Sequence, residues 1–273
     1  MSLTGLTLAR PLKAPAMSGV DCVDDVRRPV FIADLHLSGR SKRTLLSFWW
    51  FMQTRARRFR ELFILGDFFE YWIGDDACSP AEPIARVLRN YAASGHRIFL
   101  MQGNRDFMLG EDFARHCGAT LIRPQVVITV AGRRILLSHG DEWCTLDADY
   151  QAFRQEVRDP AFQVRGLEMS VEERIAFAKQ ARAESMHNKT VKTAEVMDVV
   201  DEAIAADCLR HGCHTVIHGH THKAAHHKTP QFERWVLPDW NLTGEHGAAP
   251  HRGWIELEAD GTPRLELRSS IFW

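Results

Sequence analysis

Short apolar runs alternate with amphipathic stretches through the first hundred residues of the chain. Residues 29–33, 61–65 and 97–101 are apolar and rich in residues that favour strands, which is typical of buried strands. Between them, residues 44–60 and 82–94 carry apolar side chains at helical spacing. Because strand, helix, strand, helix, strand is the order of parallel βαβ units, the pattern predicts an α/β fold.

Later in the chain the pattern predicts a core that is interrupted once. Further strands are expected at 125–130, 133–138, 213–218, 232–237, 252–257 and 264–268. Residues 150–211 are helical throughout by pattern and include a capping box that starts at Ser170. We therefore expect a core of residues 29–149 and 212–273 that carries a helical insertion. Residues 1–28 show no periodicity and are expected to form a loosely ordered leader.

Composition excludes several classes of protein. Hydrophobic residues make up 45% and charged residues 25%, the ordinary balance of a globular protein. With 34 Lys and Arg against 35 Asp and Glu, the chain has no excess positive charge and no clear basic stripe, which argues against nucleic-acid binding. No window approaches about 18 consecutive apolar residues, so we expect no membrane-spanning helix. The six cysteines form no C-x-x-C pair, and the first thirty residues lack the apolar run of a signal peptide, so we expect a cytoplasmic protein with reduced thiols.

Polar motifs with metal-binding side chains follow five of the predicted strands. They are Asp34-Leu35-His36, Gly66-Asp67, Gly103-Asn104, His139-Gly140 and His218-Gly219-His220-Thr221-His222. Strand ends of this kind meet at the carboxyl edge of an open α/β sheet. Two carboxylates, four imidazoles and an amide suit divalent manganese, iron or zinc, and seven ligands exceed what one ion takes. Two ions that share a bridging carboxylate fit better, and such pairs favour hydrolysis of phosphoryl groups. Asp67, alone on its loop, is the natural bridge.

The order D-x-H, G-D, G-N, H-G and H-G-H-x-H resembles that of the calcineurin-like metallophosphoesterases. From about Val30 to the C-terminus, this resemblance implies an αββα sandwich of two mixed sheets with a helical cap. Longer stretches are similar to the branch of pyrophosphatases that acts in bacterial lipid A synthesis. These stretches are 31–37, 65–76, 103–107, 139–154, 196–199 and 218–222.

The resemblance also implies a site with two metal ions, which are manganese in that branch. One ion would be held by Asp34, His36, Asp67 and His222, and the other by Asp67, Asn104, His139 and His220. The implied catalytic residues are Asp67, Arg105, His139 and His220. Arg105 stands where many members of the superfamily have a histidine, and a guanidinium binds phosphate oxygens rather than donating a proton. A surface salt bridge between Arg105 and Asp106 is the alternative.

The branch further implies hydrolysis of UDP-2,3-diacylglucosamine at the α-phosphorus, with UMP and 2,3-diacylglucosamine 1-phosphate as products. The implied substrate contacts are Asn104, Arg105, Asp147, Ser185, Lys189, Lys192 and His220. The two lysines also fit a solvated helix face, and Asp147 also fits a helix cap. The acyl chains require an apolar groove, whose candidate walls are Phe153, Phe162, Phe177 and Met186.

The branch implies a monomer in peripheral contact with the cytoplasmic face of the inner membrane. The basic stretch 43–60, with Trp49 and Trp50, is a candidate for that contact, although solvation of a basic face also accounts for it. Two alternatives for function stay open. One is a metallophosphoesterase that acts on another nucleotide diphosphate or phosphodiester, and the other is a non-catalytic scaffold on the same fold.

Overall fold

The computed structural model describes residues 13–17, 19–39, 41–243 and 249–269, except the side chains of residues 17, 189 and 190. The strands are β1 (Val20–Cys22), β2 (Pro29–Ile32), β3 (Glu61–Leu65), β4 (Arg97–Met101), β5 (Thr120–Val130), β6 (Arg133–Ser138), β7 (Thr215–His218), β8 (Ala225–Lys228), β9 (Glu233–Val236), β10 (Arg252–Leu257) and β11 (Pro263–Arg268). The α-helices are α1 (Lys42–Gln53), α2 (Glu82–Ala93), α3 (Glu111–His116), α4 (Ala148–Val157), α5 (Pro160–Glu168), α6 (Val171–Val191) and α7 (Asp201–His211).

One hydrogen-bonded path joins the described strands in the order β11-β10-β2-β3-β4-β5-β6-β7-β9-β8, and β1 pairs with β5. Strands β2, β3 and β4 are parallel to one another, and so are β6, β7 and β9. The long strand β5 connects these groups, because residues 120–122 pair with β4 and residues 125–130 pair with β6. We call β11, β10, β2, β3 and β4 the first half-sheet, and β6, β7, β9 and β8 the second half-sheet.

The inner faces of the two half-sheets pack against each other. Phe31 and Phe63 of the first half-sheet share one buried apolar cluster with Ile135 of the second. Side chains that alternate with these along the strands, such as Ile32 and Ile64, point outwards into a second cluster with helices α1, α2 and α3. Each of these side chains is fully buried, which contributes roughly 1.5–3 kcal/mol per large apolar residue.

A third cluster covers the outer face of the second half-sheet. Ile204 and Cys208 of α7 pack there on Leu136 and Val216. The layers are therefore helices, half-sheet, half-sheet and helix, which confirms the predicted α/β class. The two expected sheets are the two halves of a single hydrogen-bonded path, because β5 is long enough to pair in both.

Most of the elements agree with the sequence pattern, although one predicted helix is shorter than expected and three short elements were not predicted. The predicted helix over 44–60 ends at Gln53, because the backbone of Thr54 leaves the helical conformation (φ −122°, ψ −72°), and a short 3-10 helix follows at Ala56–Arg58. The pattern misses β1, α3 and β8. These elements are three to six residues long, and β1 and β8 are largely exposed, so they carry no apolar periodicity.

Helices α4, α5, α6 and α7 lie between β6 and β7, in the range of the predicted insertion. The capping box forms as expected: Ser170 Oγ accepts from the Glu173 amide at 3.2 Å, and the Glu173 carboxylate accepts from the Ser170 amide at 2.9 Å. Among these helices, α7 packs on the sheet. In the part of the chain that is described, no helix combines the length and the apolar character that crossing a bilayer requires.

Candidate metal centre and its cavity

The seven predicted metal ligands converge at one edge of the two half-sheets. Asp34 and His36 follow β2, Asp67 follows β3, and Asn104 follows β4. The remaining three ligands come from the second half-sheet. His139 follows β6, and His220 and His222 follow β7. The parallel strands of each half-sheet point their carboxyl ends in the same direction, so residues far apart in sequence meet there.

Unusual backbone conformations are concentrated at this edge. Seven residues other than glycine have positive φ in the described part of the chain, and five of them are predicted ligands. Those five are Asp34 (φ 55°), His36 (48°), Asp67 (48°), His220 (67°) and His222 (58°). Non-glycine residues adopt this region at a cost that the surrounding structure must offset, and such strain clusters at functional sites.

Three ligands lie close together on the β2 side of the site. Nε2 of His222 lies 3.4 Å from Oδ1 of Asp34 and 3.2 Å from Nε2 of His36. Nδ1 of His36 lies 3.8 Å from Oδ2 of Asp67. Asp34 and Asp67 are buried, whereas the imidazoles of His36 and His222 are partly exposed. This group therefore opens towards solvent while its carboxylates stay buried.

A second group forms around Asn104. Its Oδ1 lies 2.9 Å from Nε2 of His139 and 2.9 Å from Nδ1 of His220. Nε2 of His139 is also 3.6 Å from Oδ1 of Asp67. The other ring nitrogen of His139, Nδ1, donates to the carbonyl of Leu65 at 2.9 Å, which leaves Nε2 to point into the site.

The charges of the site are poorly balanced without a cation. Burial raises the pKa of the Asp67 carboxyl, and the neighbouring Asp34 adds to this, against the effect of His139 and Arg105. Burial also acts on Asp34, but His222 and the other imidazoles hold its pKa at about 2. Burial lowers the pKa of His139, yet the carboxylates around it outweigh that effect and raise it to about 9. Two buried carboxylates thus attract positive charge into the site.

The side chains fit divalent metal ions. Ligand atoms of Asp34, His36 and His222 all lie within 4.8 Å of one another, and so do those of Asp34, Asp67 and His139. Within the described residues, Oδ1 of Asp34 is buried and accepts no hydrogen bond. Two groups that share an aspartate, made of carboxylate oxygens and imidazole nitrogens, are suited to a pair of ions such as manganese, iron or zinc. Asn104 and His220 border the second group through the contacts described above.

Asp106 supports the ligand loops in a way that the sequence did not reveal. The alternative salt bridge between Arg105 and Asp106 is wrong, because Asp106 is fully buried and accepts backbone N–H groups. The donors are the amides of Asp67, Phe68, Phe69 and Gly103. Burial and the charge of Asp67 raise the pKa of Asp106 to about 6. Asp106 therefore ties the loop after β3 to the loop after β4.

Arg105 lies at the wall of the site and contacts two carboxylates. Its amide donates to Oδ1 of Asp67 at 2.8 Å, and its Nε is 3.4 Å from Oδ2 of the same residue. Its Nη1 donates to Glu70 at 2.7 Å. Glu70 was not among the predicted site residues, since a single acid after a strand carries no distinctive spacing.

A cavity of about 680 Å³ extends from these residues to the insertion helices. Asp67, Asn104, Arg105, His220 and His222 form one end of it. Phe153, Phe162 and Phe177 line the other end, as expected, and the sequence did not indicate Trp72, Phe107, Met108, Met169 and Met197, which line it too. The prediction for Met186 is wrong, because its side chain is 48% exposed on α6 and does not line the cavity.

The predicted substrate contacts of the insertion differ in their placement. Ser185 and Asp147 line the cavity. Asp147 caps α4 by accepting from the amide of Tyr150 at 3.1 Å, and it also forms an ion pair with Lys192, which is not a lining residue. The side chain of Lys189 lies outside the described residues. Asp147 thus forms the helix cap that the sequence left open, and it lines the cavity, where its contact with substrate stays a prediction.

Comparison with curated proteins gives relatives along most of the chain. The protein is 40% identical over 247 residues to "UDP-2,3-diacylglucosamine hydrolase" of Bordetella parapertussis, a match that covers 88% of this chain and 95% of that protein. Proteins of the same name from Cellvibrio japonicus and Chromobacterium violaceum are 42% and 41% identical. These two matches cover 88% and 87% of this chain, and 98% of each relative.

Among solved structures, an archaeal phosphodiesterase matches 88% of this chain and 99% of its own, at 10% identity and a TM-score of 0.45. That similarity is too low to support an argument about function. The family model described as calcineurin-like phosphoesterase matches residues 27–224, the range that contains all seven predicted ligands. The chain therefore belongs to the calcineurin-like phosphoesterase family.

Proposed function

We propose that this protein hydrolyses UDP-2,3-diacylglucosamine to UMP and 2,3-diacylglucosamine 1-phosphate. The observation that carries the proposal is one continuous cavity with a cluster of metal-binding side chains at one end and aromatic side chains at the other. A diphosphate fits the first end, and acyl chains fit the second. The relatives named for this substrate support the choice, since the match spans nearly their whole length.

We propose a site that holds two divalent ions, with Asp67 as the shared ligand. Asp34, His36 and His222 would complete one ion's ligands, and Asn104, His139 and His220 those of the other. The position of Asp67 supports this arrangement, because its Oδ2 lies 3.8 Å from Nδ1 of His36 and its Oδ1 lies 3.6 Å from Nε2 of His139. When bound, such ions activate water and neutralise charge on phosphoryl oxygens. Manganese is the ion that we propose, and its identity is open to direct measurement.

The chain's own residues supply binding and orientation. Arg105 is placed to bind the oxygens of the attacked phosphoryl group, because its guanidinium stays charged and lies beside Asp67 at the cavity wall. Leu65 holds His139 in the tautomer that presents Nε2. In the proposed complex, Asn104, His220, Asp147 and Ser185 contact the substrate from the cavity wall, and Lys189 and Lys192 approach it from the end of α6.

We propose that α4, α5 and α6 act as a cap for the acyl chains, within the insertion 150–211.

We also propose that the protein is a monomer on the cytoplasmic face of the inner membrane. Trp49 and Leu46 support the membrane contact, because both are about half exposed on α1, whose first turn carries Lys42 and Arg43. Flotation of the purified protein with anionic vesicles, compared with the Trp49→Ser variant, tests this contact.

Product analysis in water enriched in heavy oxygen tests the proposed reaction. Hydrolysis at the α-phosphorus is expected to put the label in UMP, as read by mass spectrometry. Label in the sugar phosphate instead would contradict the site of attack. Comparable or faster hydrolysis of dinucleoside polyphosphates, which lack acyl chains, would favour the alternative of another nucleotide substrate.

Substitution of the shared aspartate tests the metal site. We expect Asp67→Ala to reduce turnover by at least about 1,000-fold, because the variant loses the ligand common to both ions. Circular dichroism should show an unchanged fold, and elemental analysis should show less bound metal. Turnover that survives in this variant would exclude the bridging role.

A further inference from the structure

Glu70 joins the candidate catalytic arginine to the insertion. It follows β3 at the cavity wall, and its carboxylate is only partly exposed. Oε2 accepts from Nη1 of Arg105 at 2.7 Å, and Oε1 accepts from Nε of Arg182 at 2.6 Å. Arg182 belongs to α6, so one carboxylate connects the phosphate end of the cavity to the helix that covers the other end.

The contacts of Arg105 show why a second carboxylate matters. Nε of Arg105 is 3.4 Å from Oδ2 of Asp67, an oxygen that is needed for metal binding in the proposed site. Without a further partner, the guanidinium group of Arg105 would bind that carboxylate through two of its nitrogen atoms at once. Glu70 instead accepts from Nη1, and the same oxygen lies 3.9 Å from Nδ1 of His36, so Asp67 and Glu70 share the guanidinium between them.

The seating of α6 depends on the same loop. Two turns before Arg182, Arg174 donates to the carbonyl of Ile73 at 2.6 Å and to Oδ1 of Asp76 at 2.8 Å. The segment 70–76 therefore holds α6 at two points, one of which is Glu70. Any shift of α6 at Arg182 would change the partners of Glu70, and with them the position of Arg105.

We propose that Glu70 is a positioning residue that orients Arg105 towards the phosphoryl group and couples this orientation to the seating of α6. The proposal rests on the proposed pyrophosphate hydrolysis for its acylated substrate, but its first part applies to any phosphodiester that the site cleaves. Glu70 makes no contact with substrate in this role. It acts through Arg105.

Kinetics of the metal-loaded Glu70→Gln and Arg105→Gln variants, and of the double variant, test the proposal. We expect Glu70→Gln to lower kcat about 10- to 100-fold on UDP-2,3-diacylglucosamine, because small misplacements of a positioned group have effects of this size. The double variant should be no slower than Arg105→Gln alone. Glu70→Asp, which keeps the charge but shortens the reach, should recover part of the loss.

A small substrate separates the two parts of the proposal. On bis(p-nitrophenyl) phosphate, which has no acyl chain, Glu70→Gln should still lower kcat. Arg182→Gln should act mainly on the KM for the acylated substrate, since it loosens α6. If the unmodified protein cleaves only the small diester, the proposed substrate is wrong while the orientation of Arg105 by Glu70 remains measurable on that diester.

The matched control is Glu82→Gln. Glu82 also bridges two cationic partners, Arg89 and His116, but it lies on α2 outside the cavity. This variant should keep the kcat and KM of the unmodified protein. Three results would overturn the proposal: a normal kcat in Glu70→Gln, a loss of metal in that variant in proportion to its loss of activity, or independent, multiplicative effects of Glu70→Gln and Arg105→Gln.

Discussion

At the scale of single residues, the site depends on side chains whose backbone is held in a rarely populated region. The five ligands with positive φ need fixed neighbours, and the glycines between them supply the space. A Cβ on Gly66 would lie 2.5 Å from Nδ1 of His139, and one on Gly103 would meet Asp67. The glycines in these motifs therefore allow the loops after neighbouring strands to approach each other.

The variant Gly103→Ala tests this close approach. We expect at least about a tenfold loss of turnover, because the added methyl group collides with both the backbone and the carboxylate of Asp67. Steady-state kinetics with a measurement of bound metal would detect the loss. Gly39→Ala is the control, since a Cβ there meets nothing within 4 Å, and it should behave as the unmodified protein. Normal turnover in Gly103→Ala would show that the loops can move apart without consequence.

The sequence predicted the residues with distinctive chemistry and missed the residues that hold these in position. Clustered histidines and aspartates at strand ends are recognisable because several ligands recur at fixed spacing. Asp106 and Glu70 show no such spacing, and their roles depend on backbone amides and arginines brought near by folding. Met186 has the apolar side chain expected in a groove wall, but its position on α6 exposes that side chain to solvent.

At the scale of elements, α6 is a long helix with few buried side chains, so its position depends on specific polar contacts. The capping box fixes where it starts, and this was readable from four residues. The sequence could not predict where α6 docks, because Arg174 contacts a loop that lies about 100 residues earlier in the chain. Periodicity reports which side of a helix is apolar, whereas this helix is attached through buried guanidinium groups.

The variant Arg174→Ala tests that attachment. We expect the KM for the acylated substrate to rise about tenfold, since the start of α6 loses its hold on the loop that carries Asp76, and a larger effect on KM than on kcat. Steady-state kinetics over a range of substrate concentrations separates the two constants. Lys179→Ala, at an exposed position on α6, is the control and should leave KM unchanged. An unchanged KM in Arg174→Ala would mean that the contacts of Arg174 do not set the position of α6.

At the scale of the whole molecule, the ligands come from both half-sheets. Asp34, Asp67 and Asn104 extend from the first, and His139, His220 and His222 from the second. The local strand and helix patterns predicted the α/β class, and the resemblance to the phosphoesterase family implied the layers. The sequence did not predict that β5 would continue through both half-sheets, because the pairing of one strand with two partners depends on where the chain bends.

Metal removal is therefore expected to lower the stability of the whole protein. Two buried carboxylates repel each other in the metal-free site, and ions that bind only the folded state stabilise it by about 2.7 kcal/mol at a hundredfold excess over Kd. For a chain of this size that corresponds to roughly 5–10 °C in Tm, measurable by differential scanning calorimetry in EDTA and in Mn²⁺. Asp67→Asn should show no such difference between the two conditions, because it lacks the shared ligand. Equal Tm values for the unmodified protein, in samples whose metal content differs, would contradict preferential binding of the ions to the folded state.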